Sequence, residues 1–175
     1  MIERAKSFVQ ASPALAGHLL ILITAAGLLG GAWGLQIFGG LYPCPLCLMQ
    51  RWPWYLGGAL ALITIIAPVL LASLARLRDW ALLGQLGLMG WSVYLAIEHI
   101  GVEQQWWGSS CTLPGNSTAP ATIDDLLSMD EVIAPPCDAI QWELFGITLA
   151  GYNLITTVGV VAVLLFLFFK ARKAA

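Results

Sequence analysis

Apolar residues fill the chain in four long runs. Leu15 to Phe38 is about 24 mostly apolar residues, and no Asp, Glu, Lys or Arg occurs between Ser7 and Gln50. Further runs cover Leu48 to Leu71, Trp80 to Ile97 and Leu144 to Phe169. A spanning helix needs about 20 apolar residues at about 1.5 Å each. The pattern therefore predicts an all-α membrane protein, a four-transmembrane-helix bundle with spans over about 15–38, 48–71, 80–97 and 144–169. Residues 1–175 form a single integral membrane domain on this reading. Gly39-Gly40 ends the first helix and 39–47 is a short connection. Pro53 cannot donate to the carbonyl of Met49, so the second helix is expected to kink there or to begin nearer Pro53. Pro68 marks the approach to its end.

The first run has basic residues before it, as a signal peptide would. It exceeds the usual core of about 7–15 apolar residues, so an uncleaved span is expected. His18, near its start, reads as a structural interface residue rather than a ligand. The one substantial polar stretch is the loop 98–143, with Pro114, Gly115, Pro120, Pro135 and Pro136, so most of it is expected to be irregular. Within it Thr122 and Asp125 fit a capped turn, and Ile123, Leu126, Leu127 and Val132 fit one apolar face. That pattern predicts a short interfacial helix lying on the membrane, or a helix packed within the loop.

Composition sharpens this. The chain is 59% hydrophobic and 10% charged, with a mean hydropathy of +0.81. Soluble domains carry about 25% charged residues, so a soluble fold is excluded. Seven of the eight basic residues fall in the N-terminus, the 72–79 loop and the C-terminus, which four spans place on one side. By the positive-inside rule that side is cytoplasmic. Seven of the ten acidic residues lie between Glu103 and Glu143, where no Lys or Arg occurs. No basic patch points to nucleic acid, and no Gly-rich phosphate loop is present. Tyr42, Trp52, Trp54, Tyr55, Trp91, Tyr94, Trp106, Trp107 and Trp142 cluster near the outward ends, where amphipathic rings prefer to sit.

All four cysteines, Cys44, Cys47, Cys111 and Cys137, fall on the outward side, where disulfides persist. The short spacing suggests a 44–47 pair, which leaves 111–137. Three readings compete. A redox-active dithiol fits the Cys-x-x-Cys spacing. Inert structural disulfides are the second, although so short a loop gains little from closure. A metal site is the third, but neither His18 nor His99 is spaced for ligation with a cysteine pair, so no metal is expected.

The surroundings favour redox chemistry. Pro45 suits a first helical position, which would put Cys47 in the first turn. A helix N-terminus stabilises a thiolate. Arg51, four residues on, adds a positive charge on the same face, or serves as a snorkelling anchor. Both effects make Cys47 the more acidic thiol of the pair. No haem, nucleotide or iron–sulfur pattern occurs, so a lipid-soluble quinone is the expected electron acceptor. Cys47, Arg51, Glu98 and His99 are the expected lining of its pocket, the last two handling protons or simply capping the third helix.

The whole chain resembles the disulfide bond formation protein B (DsbB) family. The resemblance rests on Pro43-Cys44-Pro45-Leu46-Cys47 followed by Arg51, Glu98-His99 after the third span, and Cys111 and Cys137 in the second outward loop. Cys137-Asp138, Gln141-Trp142 and Phe145-Gly146 match as well. It implies a multi-pass protein of the bacterial inner membrane, both termini cytoplasmic, with a short first and a long second periplasmic loop. It implies an enzyme, a protein-disulfide oxidoreductase that reoxidises a DsbA-like periplasmic thiol oxidase and reduces ubiquinone or menaquinone. Under it Cys111 takes the partner in a mixed disulfide, Cys137 is released and acts on Cys44, and Cys47 faces the quinone with Arg51 assisting.

Two alternatives stand beside it. A vitamin K epoxide reductase-like oxidoreductase also carries four cysteines at a membrane face, but there the active pair lies late in the bundle. A non-enzymatic subunit braced by structural disulfides is the other. Asn116-Ser117-Thr118 matches a glycosylation acceptor, a triplet common by chance.

Overall fold

The computed structural model describes residues 13–70, 77–108 and 135–174. They form helices α1 (Pro13–Ile37), α2 (Pro45–Leu70), α3 (Leu77–Glu103) and α4 (Leu149–Ala174). A hairpin of β1 (Glu143–Leu144) and β2 (Ile147–Thr148) precedes α4. Consecutive helices pack side by side, and α4 returns against α1, closing a four-membered ring; α1 and α3 touch more sparsely across it. Pro13–Ile37, Trp80–Glu103 and Leu149–Lys170 are long and apolar enough to cross a membrane. Helix α2 is equally long but carries Gln50 and Arg51 in its first turns.

Side chains from all four helices meet in the middle. Ile21 and Ala25, Trp54 and Ala61, Leu82 and Met89, and Val160 and Leu164 form one buried cluster. Polar groups join the helices where small residues allow close approach. A Cβ at Gly57 would lie 3.2 Å from Gln85 Oε1 and 3.3 Å from Met89 Cε. The missing side chain lets Gln85 Nε2 donate to the Gly57 carbonyl at 3.0 Å. His18 is buried and meets the Arg78 carbonyl through Nε2 at 3.0 Å, the structural role its position suggested.

Four details depart from the expectations. Helix α2, which starts at Pro45 as that proline's fitness for a first helical position suggests, runs unbroken through Pro53 and Pro68 rather than kinking or starting there. The Pro53 side chain is fully buried, and that packing offsets the hydrogen bond the ring removes. Helix α3 continues past Ile97 to Glu103, because His99 and Val102 turn inward and remain buried. It ends in a Schellman motif, with Gln105 at φ 57°. There the Trp106 N–H reaches the Gly101 carbonyl at 2.8 Å and the Gln105 N–H reaches that of Val102 at 3.1 Å.

The last two departures concern the all-α expectation and the aromatic belt. Residues 143–148 form a hairpin, pairing Glu143 with Thr148 and Leu144 with Ile147. Phe145 (φ 53°) and Gly146 (φ 73°) supply the left-handed backbone of its two-residue turn. Helix α4 therefore begins at Leu149, not 144. Trp54 is 2% exposed and belongs to the core rather than the belt. The short helix expected near 122–132, and Cys111, lie outside the described residues.

Candidate functional site

The site is built on the start of α2. Pro45 is its first helical residue, which makes Cys44 the N-cap. The Leu48 N–H donates to the Cys44 carbonyl at 3.0 Å. The Cys47 N–H donates to Cys44 Sγ at 3.1 Å, so a sulfur takes the place usually held by a Ser or Asp oxygen. Cys44 and Cys47 are joined by a disulfide. Cys44 is buried, whereas Cys47 is half-buried and lines a cavity.

Cys137, also disulfide-bonded, is 1% exposed and packs with Cys44, Leu46 and Val102. Two cysteines 93 positions apart in the chain therefore share one small buried cluster. His99 bridges them. Its Nε2 lies 3.6 Å from Cys44 Sγ, and its ring hydrogen-bonds to the Cys137 backbone. The same Nε2 is 3.7 Å from Glu103 Oε1, one helical turn along α3. Glu103 Oε2 accepts from the Thr148 hydroxyl at 2.7 Å. Thr148 is in turn the N-cap of α4, taking the Gly151 N–H at 3.2 Å.

Behind His99 runs a buried chain of amides. The Gln50 Nε2 amide donates to His99 Nδ1 at 2.8 Å and to the Leu95 carbonyl at 3.4 Å. Gln50 Oε1 accepts from Asn153 Nδ2 at 2.9 Å. Asn153 Oδ1 accepts from the Trp54 indole N–H at 2.9 Å.

Arg51 extends toward α1. Its Nη1 donates to Gln36 Oε1 at 3.0 Å, and its guanidinium lies 5.4 Å from the centre of the Trp33 ring. The Trp33 indole N–H donates to the Tyr55 hydroxyl at 2.8 Å. A cavity of about 260 Å³ opens beside these groups, mostly apolar, with Leu28 and Leu35 of α1 among its walls. Cys47, Gln50, Arg51, His99 and Asn153 converge on it. Small-molecule sites have this character, apolar walls with a few polar groups aimed inward.

Most of the expected residues thus come together: Cys44, Cys47, Arg51, His99 and Cys137. Cys111 lies outside the described residues. Glu98 is half-buried and is not part of the cavity wall. Glu103, on the same face of α3 as His99, occupies that wall instead. Sequence spacing separated His99 from any cysteine pair, yet the fold brings its ring and both sulfurs of Cys44 and Cys47 within 4.8 Å of one another. Gln36, Gln50, Trp54, Glu103 and Asn153 were missed. The signal for three of them was present, since a lone amide inside an apolar run is costly in a membrane unless it is used.

The family model for "Disulfide bond formation protein DsbB" matches residues 16–167. A disulfide bond formation protein B from Acinetobacter baylyi is 33% identical over 148 residues, 78% of this chain and 79% of the relative. One from Psychrobacter arcticus is 29% identical over 148 residues, 78% and 77% of the two chains. One from Hahella chejuensis is 27% identical over 161 residues, 85% and 90%. No solved structure matches the chain.

Proposed function

Since the chain belongs to the DsbB family of disulfide bond formation proteins, we propose that it is a quinone-dependent thiol oxidase that recharges a DsbA-like periplasmic dithiol protein. It crosses the bacterial inner membrane four times, through α1, α2, α3 and α4, with both termini cytoplasmic and the cysteines periplasmic. The observation that carries this reading is the burial of Cys137 against Cys44, beside a cavity that Cys47 lines. A purely structural disulfide has no need of a second disulfide packed on it, nor of an adjoining cavity.

The family resemblance supplies the relay, and the placement of Cys44, Cys47 and Cys137 supports it. A thiolate of the partner attacks Cys111, forms the mixed disulfide and releases Cys137 as a thiolate. Cys137 then attacks Cys44, the Cys44–Cys47 bond breaks, and its electron pair stays on Cys47. Thiolate–disulfide exchange of this kind needs no external redox agent. Cys47 is then the charged sulfur at the cavity.

The cavity fits a quinone headgroup, being largely apolar and furnished with hydrogen-bond donors on Arg51 and Asn153. A bound ubiquinone or menaquinone supplies a two-electron, two-proton acceptor there. Arg51 contributes a fixed positive charge, held by Gln36 and by the face of Trp33. The helix α2 N-terminus adds its partial positive charge at the two sulfurs.

The test is a coupled assay with purified protein, added quinone and a reduced periplasmic dithiol protein. One quinone should be reduced for each disulfide formed, and Cys47→Ser should abolish quinone reduction. Full activity in Cys47→Ser would contradict the reading. A braced, non-enzymatic subunit predicts no mixed disulfide with another protein, whereas the relay predicts one through Cys111 in a Cys137→Ala chain.

A further inference from the structure

The amide chain behind His99 has a direction. A Trp indole N–H is a donor only, and a backbone carbonyl is an acceptor only. Trp54 Nε1 therefore requires an oxygen on Asn153, which leaves Asn153 its NH2 for Gln50. Gln50 must then offer Oε1 to Asn153 and its NH2 to the other side. The Leu95 carbonyl, which accepts from that same NH2, demands the same orientation. The next atom in the chain, His99 Nδ1, is left as an acceptor. A neutral imidazole that accepts at Nδ1 carries its proton at Nε2.

We infer that Trp54, Asn153 and Gln50 are positioning residues that lock His99 as an Nε2–H donor between the Cys44 sulfur and the Cys137 backbone. This deepens the relay proposed above and rests on it for its purpose. Cys44 Sγ then has two N–H groups beside it, the Cys47 backbone N–H at 3.1 Å and the His99 Nε2–H at 3.6 Å, the latter shared with the Cys137 backbone and with Glu103 Oε1 at 3.7 Å. Both stabilise a negative sulfur. Cys44 must carry that charge once in each cycle. Once the partner's second thiolate has attacked its own sulfur in the mixed disulfide and released Cys111 as a thiolate, Cys111 attacks Cys137 in the Cys44–Cys137 bond and a Cys111–Cys137 bond forms. The electron pair of the broken bond then stays on Cys44, and no proton moves.

Among the described residues, other charges around Cys44 are few. Helix α2 contributes Cys47 and Arg51, α3 contributes His99 and Glu103, and Cys137 packs from the segment before the hairpin. Helix α1 has no Asp, Glu, Lys or Arg. The Lys170 and Arg172 of α4 lie at its far end, and Tyr152 is the ionisable side chain it places at the cavity.

The test uses the full chain in detergent, without quinone or partner protein, so its outcome does not depend on the quinone reading. Nitrogen-15 shifts of His99 report the tautomer. The pH profile of Cys44 alkylation, in a chain with Cys47→Ala, Cys111→Ser and Cys137→Ser, reports the thiolate. The native residues should give a neutral Nε2–H imidazole. Gln50→Met removes the donor to Nδ1, so the tautomers should mix and the alkylation midpoint should rise by about half to one pH unit, threefold to tenfold in thiolate. Gln50→Glu must receive a proton from Nδ1, so His99 should be doubly protonated near neutral pH, with no rise in the midpoint. An Nδ1–H tautomer in the native chain, or unmoved shifts and midpoint in Gln50→Met, would overturn the inference. A merely structural Gln50 would lower stability and leave both readouts alone.

Discussion

Thr148 ties three parts of the site together, and replacing it with Val tests that connection. Its hydroxyl accepts the Gly151 N–H at the start of α4 and donates to Glu103 at the end of α3. Both Thr148 and Glu103 are largely hidden from water, at 8% and 6% exposure, so solvent cannot replace a lost partner. Valine keeps the shape and removes only the oxygen. Losing the helix cap costs about 1 kcal/mol. Losing the bond to Glu103 costs about 1 kcal/mol if that carboxyl is neutral and about 1.5–3 kcal/mol if it is charged. The sum is about 2–4 kcal/mol, with the lower end favoured because hydrogen bonds in membrane proteins average about 0.6 kcal/mol. The assay is unfolding in mixed micelles followed by circular dichroism. Thr148→Ser restores the hydroxyl and should recover all but about 1 kcal/mol. A loss under about 0.5 kcal/mol in Thr148→Val, or a Ser variant as damaged as the Val variant, would refute the reasoning.

Further outcomes follow from neighbouring contacts. Arg51→Lys keeps the charge but loses the planar fork shared with Gln36 and the stacking on Trp33, so the KM for quinone should rise about tenfold, roughly 1.4 kcal/mol, with a smaller change in kcat. Gly101→Ala would place a Cβ inside the Trp107 ring, so the indole must move, costing about 1–3 kcal/mol and shifting the tryptophan emission. Asn153→Ala leaves the Trp54 indole N–H and Gln50 Oε1 without their partner, and a double-mutant cycle with Trp54→Phe should show coupling of about 0.5–2 kcal/mol.

The sequence was most legible where one strong physical constraint acted. Apolar runs long enough to span a bilayer announced the helices, and Pro45 marked the start of α2. It was least legible where two parts of the chain meet. Glu98, next to His99 in sequence, is the carboxylate the sequence points to, and only the phase of α3 puts Glu103 on the face of His99. Pro53 reads as a break, yet its burial carries the helix through. Phe145-Gly146 is not a common hairpin dipeptide, so β1 and β2 had no local announcement. The helix N-terminus was expected to favour Cys47, but its N–H at position 47 points at the Cys44 sulfur. Cys44 is the buried, hydrogen-bonded member, and Cys47 is the one that reaches the cavity.

That division is what the central claim depends on, and one optical measurement tests it. In purified Cys44→Ser protein Cys47 has lost its partner and faces the cavity. Adding quinone during a redox titration should produce a visible absorbance that tracks Cys47 ionisation and disappears when Cys47 is alkylated. An unchanged spectrum, with the quinone bound and Cys47 reduced, would contradict the account.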